Sequence, residues 1–209
     1  MRIALTALPL VRTLSLASVF CLALGSQSRA DVAPATPAPA PAAAIVLSAD
    51  PAASSISYHM VHKLHKFDAI SKKVEGKVKI LPTGQAQIVI RAAVESFDSG
   101  NSNRDAHMKE VTQAAQFPQV EFKGLCDSCA VPATFPTTID KTLKGELSFH
   151  GVKKSLELPV KLTYESSTLI KATAQLAVSL EEFKIERPSL MFAKVEDALK
   201  LDINIVMKQ

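Results

Sequence analysis

Alternation of apolar and polar residues with a period of two is the feature that most constrains the fold of this chain. It recurs in eight segments, at residues 56–60, 74–80, 88–94, 120–122, 143–149, 156–164, 170–180 and 199–207. Successive side chains of a strand lie on opposite faces, so the pattern predicts strands with one buried and one solvent-facing side. Such strands are typical of antiparallel sheets, whereas an α/β fold would need helices between most of them. We predict an all-β, antiparallel fold of about eight strands.

Strands with a single apolar face can bury it in a sandwich or in a closed barrel. Small residues on these faces favour a barrel with space inside, because about eight strands enclose just enough room for side chains or for one small ligand. Close packing of the strands at these positions is the alternative explanation. The small residues are Gly76, Ala92, Gly145, Ala172 and Ala174. We expect an internal apolar cavity.

The first 44 residues are not expected to belong to the barrel. Arg2 and Arg12, an apolar run at residues 14–24 and small residues up to Ala30 predict a secretory signal peptide at residues 1–30, with cleavage after Ala30. The run is too short for a membrane span, and we expect no integral membrane segment in the mature chain. Residues 31–44 alternate Pro and Ala, which predicts a disordered linker. A periplasmic or secreted domain at residues 45–209 would follow.

The net charge argues against a nucleic-acid partner. The whole chain has 24 basic and 20 acidic side chains. Residues 1–30 hold Arg2, Arg12 and Arg29 and no acidic residue, so 21 basic and 20 acidic side chains remain after cleavage. Binding to nucleic acid needs a basic surface, which this near-neutral domain does not offer.

No combination of residues indicates an enzyme. The chain has no G-x-S-x-G elbow and, with seven glycines, no phosphate-binding glycine loop. His150 is out of phase with Leu147 and Phe149, so we expect it to face outward or to cap the strand turn at Gly151, with no acid to orient it. We predict no catalytic residue, no resident metal and no cofactor.

Cys126 and Cys129 form a C-x-x-C pair in the segment "GLCDSCA". In an oxidising compartment such a pair most often forms a local disulfide, which we predict here. A thioredoxin-like role would need the motif to open a helix, but Gly and Pro flank it between two strands. Attachment of c-type haem would need a histidine directly after Cys129, where the sequence has alanine.

The segment "SGNSNRDAHMKEV" predicts one short helix between two strands. Ser102 is the expected N-cap, with Asp105 completing a capping box. Met108, Val111 and Ala115 follow at helical spacing, on a stripe that Arg104 shares. This stripe needs a surface to pack on, so we expect the helix across one mouth of the barrel or against its wall.

Two roles are open for Arg104. It could form a structural ion pair with Asp98 or Asp105 that fixes the helix to the barrel. It could instead meet the anionic head of a bound lipid, because guanidinium matches phosphate well.

Three histidines lie near the end of the first predicted strand. His62 shares a face with Tyr58 and Met60, whereas His59 and His65 point to the other side, so one regular strand cannot gather all three on a metal. A loop in this region could do so. We expect instead that His62 lies at the cavity rim, where its imidazole could meet a polar group of a ligand.

Three segments of the sequence together resemble the YceI-like family of secreted bacterial proteins: "SFDSGNSNRDAHMK", "FPQVEFKG" and "LKGELSFHGVKKSLELPVKL". The final "LEEFKIERPSLMFAKVEDALKLDINIVM" is similar to the last strands of that family, and the resemblance covers about residues 46–208. It implies a lipocalin-like antiparallel barrel with a hydrophobic tunnel that binds polyisoprenoids, including isoprenoid quinones. The residues that match the family pattern are Asn101, Arg104, Asp105, Phe117, Pro118, Phe122, Gly145, His150, Gly151 and Phe183. The chain departs from the pattern at "HKLHKFDAISKKVEG", at Lys184 and in the "LCDSC" loop.

The predicted function is an exported barrel protein that encloses an isoprenoid-type lipid, either a polyisoprenoid or a quinone-like molecule. A metal- or haem-associated periplasmic redox or stress accessory protein is the alternative, and a structural envelope protein with a filled barrel is a third hypothesis. A homodimer is left open. The predicted ligand-binding residues are Tyr58, Met60, His62, Ile90, Asn101, Arg104, Met108, Phe122, Leu147, Phe149, Leu158, Val160, Leu176 and Phe183.

Overall fold

The structure is a computed structural model, and it describes residues 43–62, 66–190 and 193–209. The predicted signal peptide and nearly all of the predicted linker lie outside the described residues. The first described strand begins at Ile45, where the barrel domain is expected to begin.

The described residues form twelve strands, one α-helix and two short 3-10 helices. The α-helix, α1, spans Ser102–Val111, and the 3-10 helices span Val94–Ser96 and Glu181–Phe183. The strands are β1 (Ile45–Ala49), β2 (Ser55–Val61), β3 (Lys66–Ser71), β4 (Val74–Ile80), β5 (Ala86–Ala93), β6 (Gln119–Cys126), β7 (Thr137–Phe149), β8 (Val152–Ser166), β9 (Leu169–Ser179), β10 (Ser189–Leu190), β11 (Ala193–Lys194) and β12 (Ala198–Lys208).

Ten of the strands form one closed antiparallel barrel. Their order is β1-β4-β5-β6-β7-β8-β9-β12-β2-β3, and β1 also pairs with β12. Both β1 and β2 pair with the same edge of β12, so together they occupy one position of the ring. The next position is occupied by β4, which pairs with β1, and by β3, which pairs with β2. Each of these pairs therefore counts as one interrupted strand, and the barrel has eight. The predicted fold class is confirmed, and β10 and β11 form a separate small hairpin.

One end of the barrel is closed by the loop that follows β6. Cys126 and Cys129 form the predicted disulfide, and both residues are buried. The backbone N–H of Cys129 donates a hydrogen bond to the carbonyl of Gly84, in the β4–β5 turn, at 2.7 Å. The Tyr164 hydroxyl donates to the carbonyl of Cys129 at 3.4 Å. These contacts fix the loop against the strands, and we call this the disulfide end.

Helix α1 begins differently from the expectation. The N-cap is Asn101, whose side-chain oxygen accepts the backbone N–H of Arg104 at 3.0 Å, so Ser102 is the first helical residue and the predicted capping box is wrong. Asp105 instead accepts the backbone N–H of Ser99 at 3.1 Å, one turn before the helix. An asparagine directly before Ser102 takes the capping role because its side chain is equally suited to it.

The helix also ends earlier than its apolar spacing indicates. The Thr112 hydroxyl donates to the carbonyl of Met108 at 2.6 Å, and Gln113 has a φ of 47°, which leaves the helical region. Ala115 therefore lies beyond the helix and is exposed. The predicted stripe is correct only as far as Val111.

His150 lies in the β7–β8 turn but does not face outward. His150 and Gly151 have φ values of 50° and 72°, as a two-residue hairpin turn requires. The imidazole is buried, with Nδ1 donating to the carbonyl of Phe183 at 2.9 Å and the ring packed edge-on against Phe117. The prediction of an outward face is wrong because the segment around Phe183 folds over the turn.

Candidate functional site

A cavity of about 560 Å³ occupies the barrel beside α1. This volume lies within the range of roughly 300–1,000 Å³ that is usual for small-molecule sites. Most of its wall is made of apolar side chains on the inner faces of the strands. Exposed residues of the α1 segment, Asn101, Asn103 and His107, also line it, so the cavity opens to solvent there, and we call this opening the mouth. The expected apolar cavity is confirmed.

The glycines on the inner faces do not leave this space open. A Cβ atom at Gly76 would collide with the end of the Ile90 side chain. A Cβ atom at Gly145 would come within 2.7 Å of the Phe122 ring, and one at Gly124 within 2.5 Å. These positions thus make room for two larger side chains, so for them the close-packing explanation holds. Ala92, in contrast, does line the cavity.

A second, smaller cavity of about 90 Å³ lies toward the disulfide end. Cys129, Tyr164 and other buried side chains line it. Ala172 and Ala174, two of the small residues noted in the sequence, also line it.

Eleven of the fourteen predicted ligand-binding residues line the larger cavity, and whether they bind a ligand stays a prediction. They are Tyr58, Met60, Ile90, Asn101, Arg104, Met108, Phe122, Leu147, Phe149, Leu158 and Leu176. Val160 lines the smaller cavity.

His62 and Phe183 line neither cavity. His62 is buried but follows the last residue of β2, so the alternation that placed it on the inner face no longer applies. Its expected place at the cavity rim is therefore corrected. Phe183 is buried in a 3-10 helix and packs against Phe149, with 5.8 Å between ring centroids. It supports a residue of the cavity wall.

The connection between β9 and β12 also contributes to the cavity wall, but through residues other than Phe183, the one predicted from the sequence. Ile185, Pro188 and Val195 come from it. The segment has no period-two or helical pattern, so alternation could not place it. Its only sequence signal was the resemblance of the final segment to the family.

Arg104 is held by Ser99 rather than by either predicted carboxylate. Its Nε donates to the Ser99 hydroxyl at 2.9 Å, and its Nη2 donates to the Ser99 carbonyl at 2.7 Å. The guanidinium also lies 5.2 Å from the centroid of the Phe67 ring, where a cation–π contact is favourable. The Ser99 hydroxyl in turn donates to Asp105, so the serine bridges the two charges. The expected ion pair is thus replaced by an indirect link that fixes the start of α1 at the mouth.

Tyr58, on β2, contributes a polar group to the cavity wall. Its ring is buried and tilts against Phe97 at 5.6 Å. Burial raises the pKa of its hydroxyl to about 12; Asp105 raises this pKa as well, and Arg104 opposes it. The hydroxyl is therefore neutral at physiological pH and can donate a hydrogen bond to a ligand.

His59 lies on the outer wall in a network of carboxylates. Its Nδ1 lies 2.7 Å from Asp68, and its Nε2 lies 2.7 Å from Asp202, which also accepts a hydrogen bond from Gln175 at 2.8 Å. The hydrogen bonds to Asp68 and then Asp202 raise the pKa of His59. Both ring nitrogens are engaged, in opposite directions, which is unsuited to gathering ligands around one metal.

Within residues 43–62, 66–190 and 193–209, no group of three or more His, Cys, Asp or Glu side chains is placed to hold a metal ion. The hypothesis of a histidine cluster also involves His65, which lies outside the described residues. In the same part of the chain, no helix combines the length and the apolar character that a membrane span needs.

Comparison with known proteins gives a family model and a set of similar folds, whereas no curated protein matches significantly. The polyisoprenoid-binding domain from Saccharophagus degradans, implicated in plant cell wall breakdown, has a TM-score of 0.65 at 17% identity, covering 78% of this chain and 97% of its own. Burkholderia cenocepacia BcnA has a TM-score of 0.60 at 21% identity, covering 76% and 98%. The Campylobacter jejuni YceI protein has a TM-score of 0.52 at 15% identity, covering 66% and 82%. At these identities the likeness shows the fold. Residues 47–207 match the YceI-like domain model, and the chain belongs to that family.

Proposed function

We propose that this protein binds one long apolar lipid of isoprenoid type inside its barrel and sequesters or carries it outside the cytoplasm. The observation that carries the proposal is the cavity of about 560 Å³, which is apolar along its depth and has polar groups at its mouth. Such a cavity fits a molecule with a long hydrocarbon tail and a small polar head.

The cavity wall would supply most of the binding free energy. Burial of apolar surface contributes about 25 cal/mol per Å², so a chain that covers the wall gains in proportion to its length. Inner side chains such as Leu147, Phe149, Leu176 and Ile203 provide this surface on three different strands. Because the closed sheet holds them in place, little ordering is needed when the ligand enters.

Polar groups at the mouth would position the head of the ligand. The Tyr58 hydroxyl is neutral and lines the cavity. The Asn101 side-chain oxygen caps α1, which leaves its amide NH₂ as the part suited to a ligand. Two of the three guanidinium nitrogens of Arg104 are engaged with Ser99. These groups are mainly donors, so they suit a head with oxygen acceptors, such as a quinone carbonyl or an alcohol.

The location outside the cytoplasm rests on sequence and chemistry together. The first 30 residues are typical of a secretory signal peptide. A disulfide between Cys126 and Cys129 is compatible with an oxidising compartment. A fold similar to that of a protein described as polyisoprenoid-binding supports the ligand class.

Organic extraction of the purified protein tests the proposal. The full chain is expressed with its own N-terminal segment, recovered from the periplasm, and its extract is analysed by mass spectrometry. We expect an isoprenoid at close to one molecule per chain. Traces of phospholipid far below this ratio, with no isoprenoid, would overturn the proposal.

A matched pair of variants on β9 controls for surface-bound lipid. Leu176 lines the cavity, and its neighbour Ala177 is exposed on the outer face. Leu176→Trp fills part of the cavity and should reduce the recovered isoprenoid several-fold. Ala177→Trp adds the same indole outside and should leave the yield unchanged.

A further inference from the structure

Three side chains line both of the cavities described inside the barrel. These are Ile90 on β5, Leu158 on β8 and Ile203 on β12. They come from three different strands, and no two of these strands are adjacent in the ring. We call these three residues the waist. On its mouth side lies the cavity of about 560 Å³, and on its other side the cavity of about 90 Å³.

The position of Ile90 depends on the glycine opposite it. Gly76 on β4 pairs with Ile90 on β5, and a Cβ atom at Gly76 would collide with the Ile90 Cδ1 atom. The glycine therefore allows Ile90 to lie back against the β4 side of the wall. Any side chain at position 76 would push Ile90 into the lumen and narrow the waist. The β4–β5 pair therefore offers two opposite changes. A smaller side chain at position 90 would widen the waist, and a larger one at position 76 would narrow it.

The cavity beyond the waist is apolar and small. Leu143, Ile170 and Met207 are among the residues that line it. At about 30 Å³ per water, its volume of about 90 Å³ corresponds to roughly three waters, for which the apolar lining offers few hydrogen-bond partners. Hydrocarbon would be favoured in it, because the lining atoms lack contact partners on the empty side. A tail that enters from the larger cavity would meet the three waist side chains before this space.

We propose that the waist sets the chain length that this site accepts. The inference rests on the proposed function, and it assigns Ile90, Leu158 and Ile203 as specificity-determining residues. The tail of an isoprenoid ends at the waist, so units added beyond that length remain outside the mouth and gain no burial. The affinity of the wild-type protein therefore rises with chain length and then levels off.

A series of prenyl alcohols tests this inference. Dissociation constants are measured for geraniol, farnesol, geranylgeraniol and a longer polyprenol with wild type, Ile90→Ala and Gly76→Ala. In Ile90→Ala the waist widens, so the chain length at which affinity levels off should increase. The gain for the longer chain relative to the shorter one should be about tenfold, since each additional buried methylene group contributes favourably. In Gly76→Ala the waist narrows, and affinity should level off at a shorter chain.

Val111→Ala is the matched control, because Val111 lines the larger cavity from α1 and does not line the smaller one. It should change affinity for all chain lengths by a similar factor. Ile90→Val and Ile203→Val remove less volume and serve if Ile90→Ala does not fold. If prenyl alcohols bind but affinity levels off at the same length in every variant, the waist proposal is wrong and the proposed function stands. If the wild type binds no chain of any length, the proposed function fails and the waist proposal falls with it.

Discussion

At the scale of single residues, the polar side chains near the mouth have two different roles: the charged ones fix the helix, and an uncharged one faces the cavity. Ser99 engages both Arg104 and Asp105, so these two charges mainly fix the start of α1. Tyr58 lies in the cavity wall with a neutral hydroxyl. It is thus the residue best suited to recognise an uncharged head group, and its role can be separated from that of the helix.

Tyr58→Phe should weaken binding of a ligand with an oxygen head without unfolding the protein. One hydrogen bond contributes about 0.5–1.5 kcal/mol, so we expect a loss of roughly two- to twelvefold in affinity for a prenyl alcohol or quinone. Affinity for a hydrocarbon of similar length without a head should be unchanged. Calorimetric titration with both ligands measures this, and an equal loss for the two would exclude Tyr58 as a contact of the head group.

How far single site residues could be predicted from the sequence depended on whether they lie inside a regular element. Leu147, Phe149 and Leu158 were placed correctly in the wall because alternation holds along β7 and β8. The error at His62 arose because β2 ends one residue earlier, and the burial of His150 depends on a distant segment that folds over its turn. Neither the end of a strand nor such a long-range contact has a local signal.

At the scale of elements, eight alternating segments were enough to predict the barrel, because each position of the ring contains a strand with one apolar side and one solvent-facing side. Both β1 and β3 lay outside the alternating segments identified in the sequence. In the ring, β1 shares one position with β2, and β3 shares the next position with β4. The pattern had therefore already counted each position once, through β2 and β4. The number of strands in the ring was therefore correct although individual strands were missed.

The network around His59 joins four strands of the wall and should make their stability depend on pH. Asp68 on β3, His59 on β2, and Asp202 on β12 with Gln175 on β9 form it. The pKa of His59 is raised, so its contribution is fully present below the pKa of about 6.5 that a histidine has in the unfolded chain, and it is lost as pH rises through the folded value. The pKa of Asp202 is lowered by hydrogen bonds from Gln175 and His59, so its contribution is lost at acid pH.

His59→Gln should therefore destabilise the barrel more near pH 6 than near pH 9, relative to wild type. Urea unfolding at the two pH values measures the difference, which should be small because the histidine is 37% exposed. His107→Gln is the control, since that histidine is exposed at the mouth and pairs only with Glu110 of its own helix, so it joins no strands. A constant difference between His59→Gln and wild type across this range would contradict the assigned network.

At the scale of the whole molecule, the two ends of the barrel are built for different tasks. The helix end carries polar and exposed residues around an open mouth. The disulfide end is closed by the loop after β6, in which Cys126 and Cys129 are almost fully buried and Tyr164 packs beneath. An apolar guest would thus enter from one side, and the opposite end would support the rigidity of the cavity rather than its access.

Removal of the disulfide should lower global stability while leaving the mouth intact. The cross-link closes a loop of only a few residues, for which loop entropy accounts for about 2 kcal/mol, and the buried sulfur atoms add packing that alanine does not replace. The double variant Cys126→Ala/Cys129→Ala should therefore lose at least this amount in chemical unfolding. In chemical unfolding a reductant should lower the stability of the wild type, because the unfolded chain exposes the bond, and it should have no effect on the variant. Affinity for short prenyl alcohols should be nearly unchanged, because Cys129 lines only the cavity beyond the waist. A large loss of affinity for geraniol in a folded variant would show instead that the closed end takes part in binding.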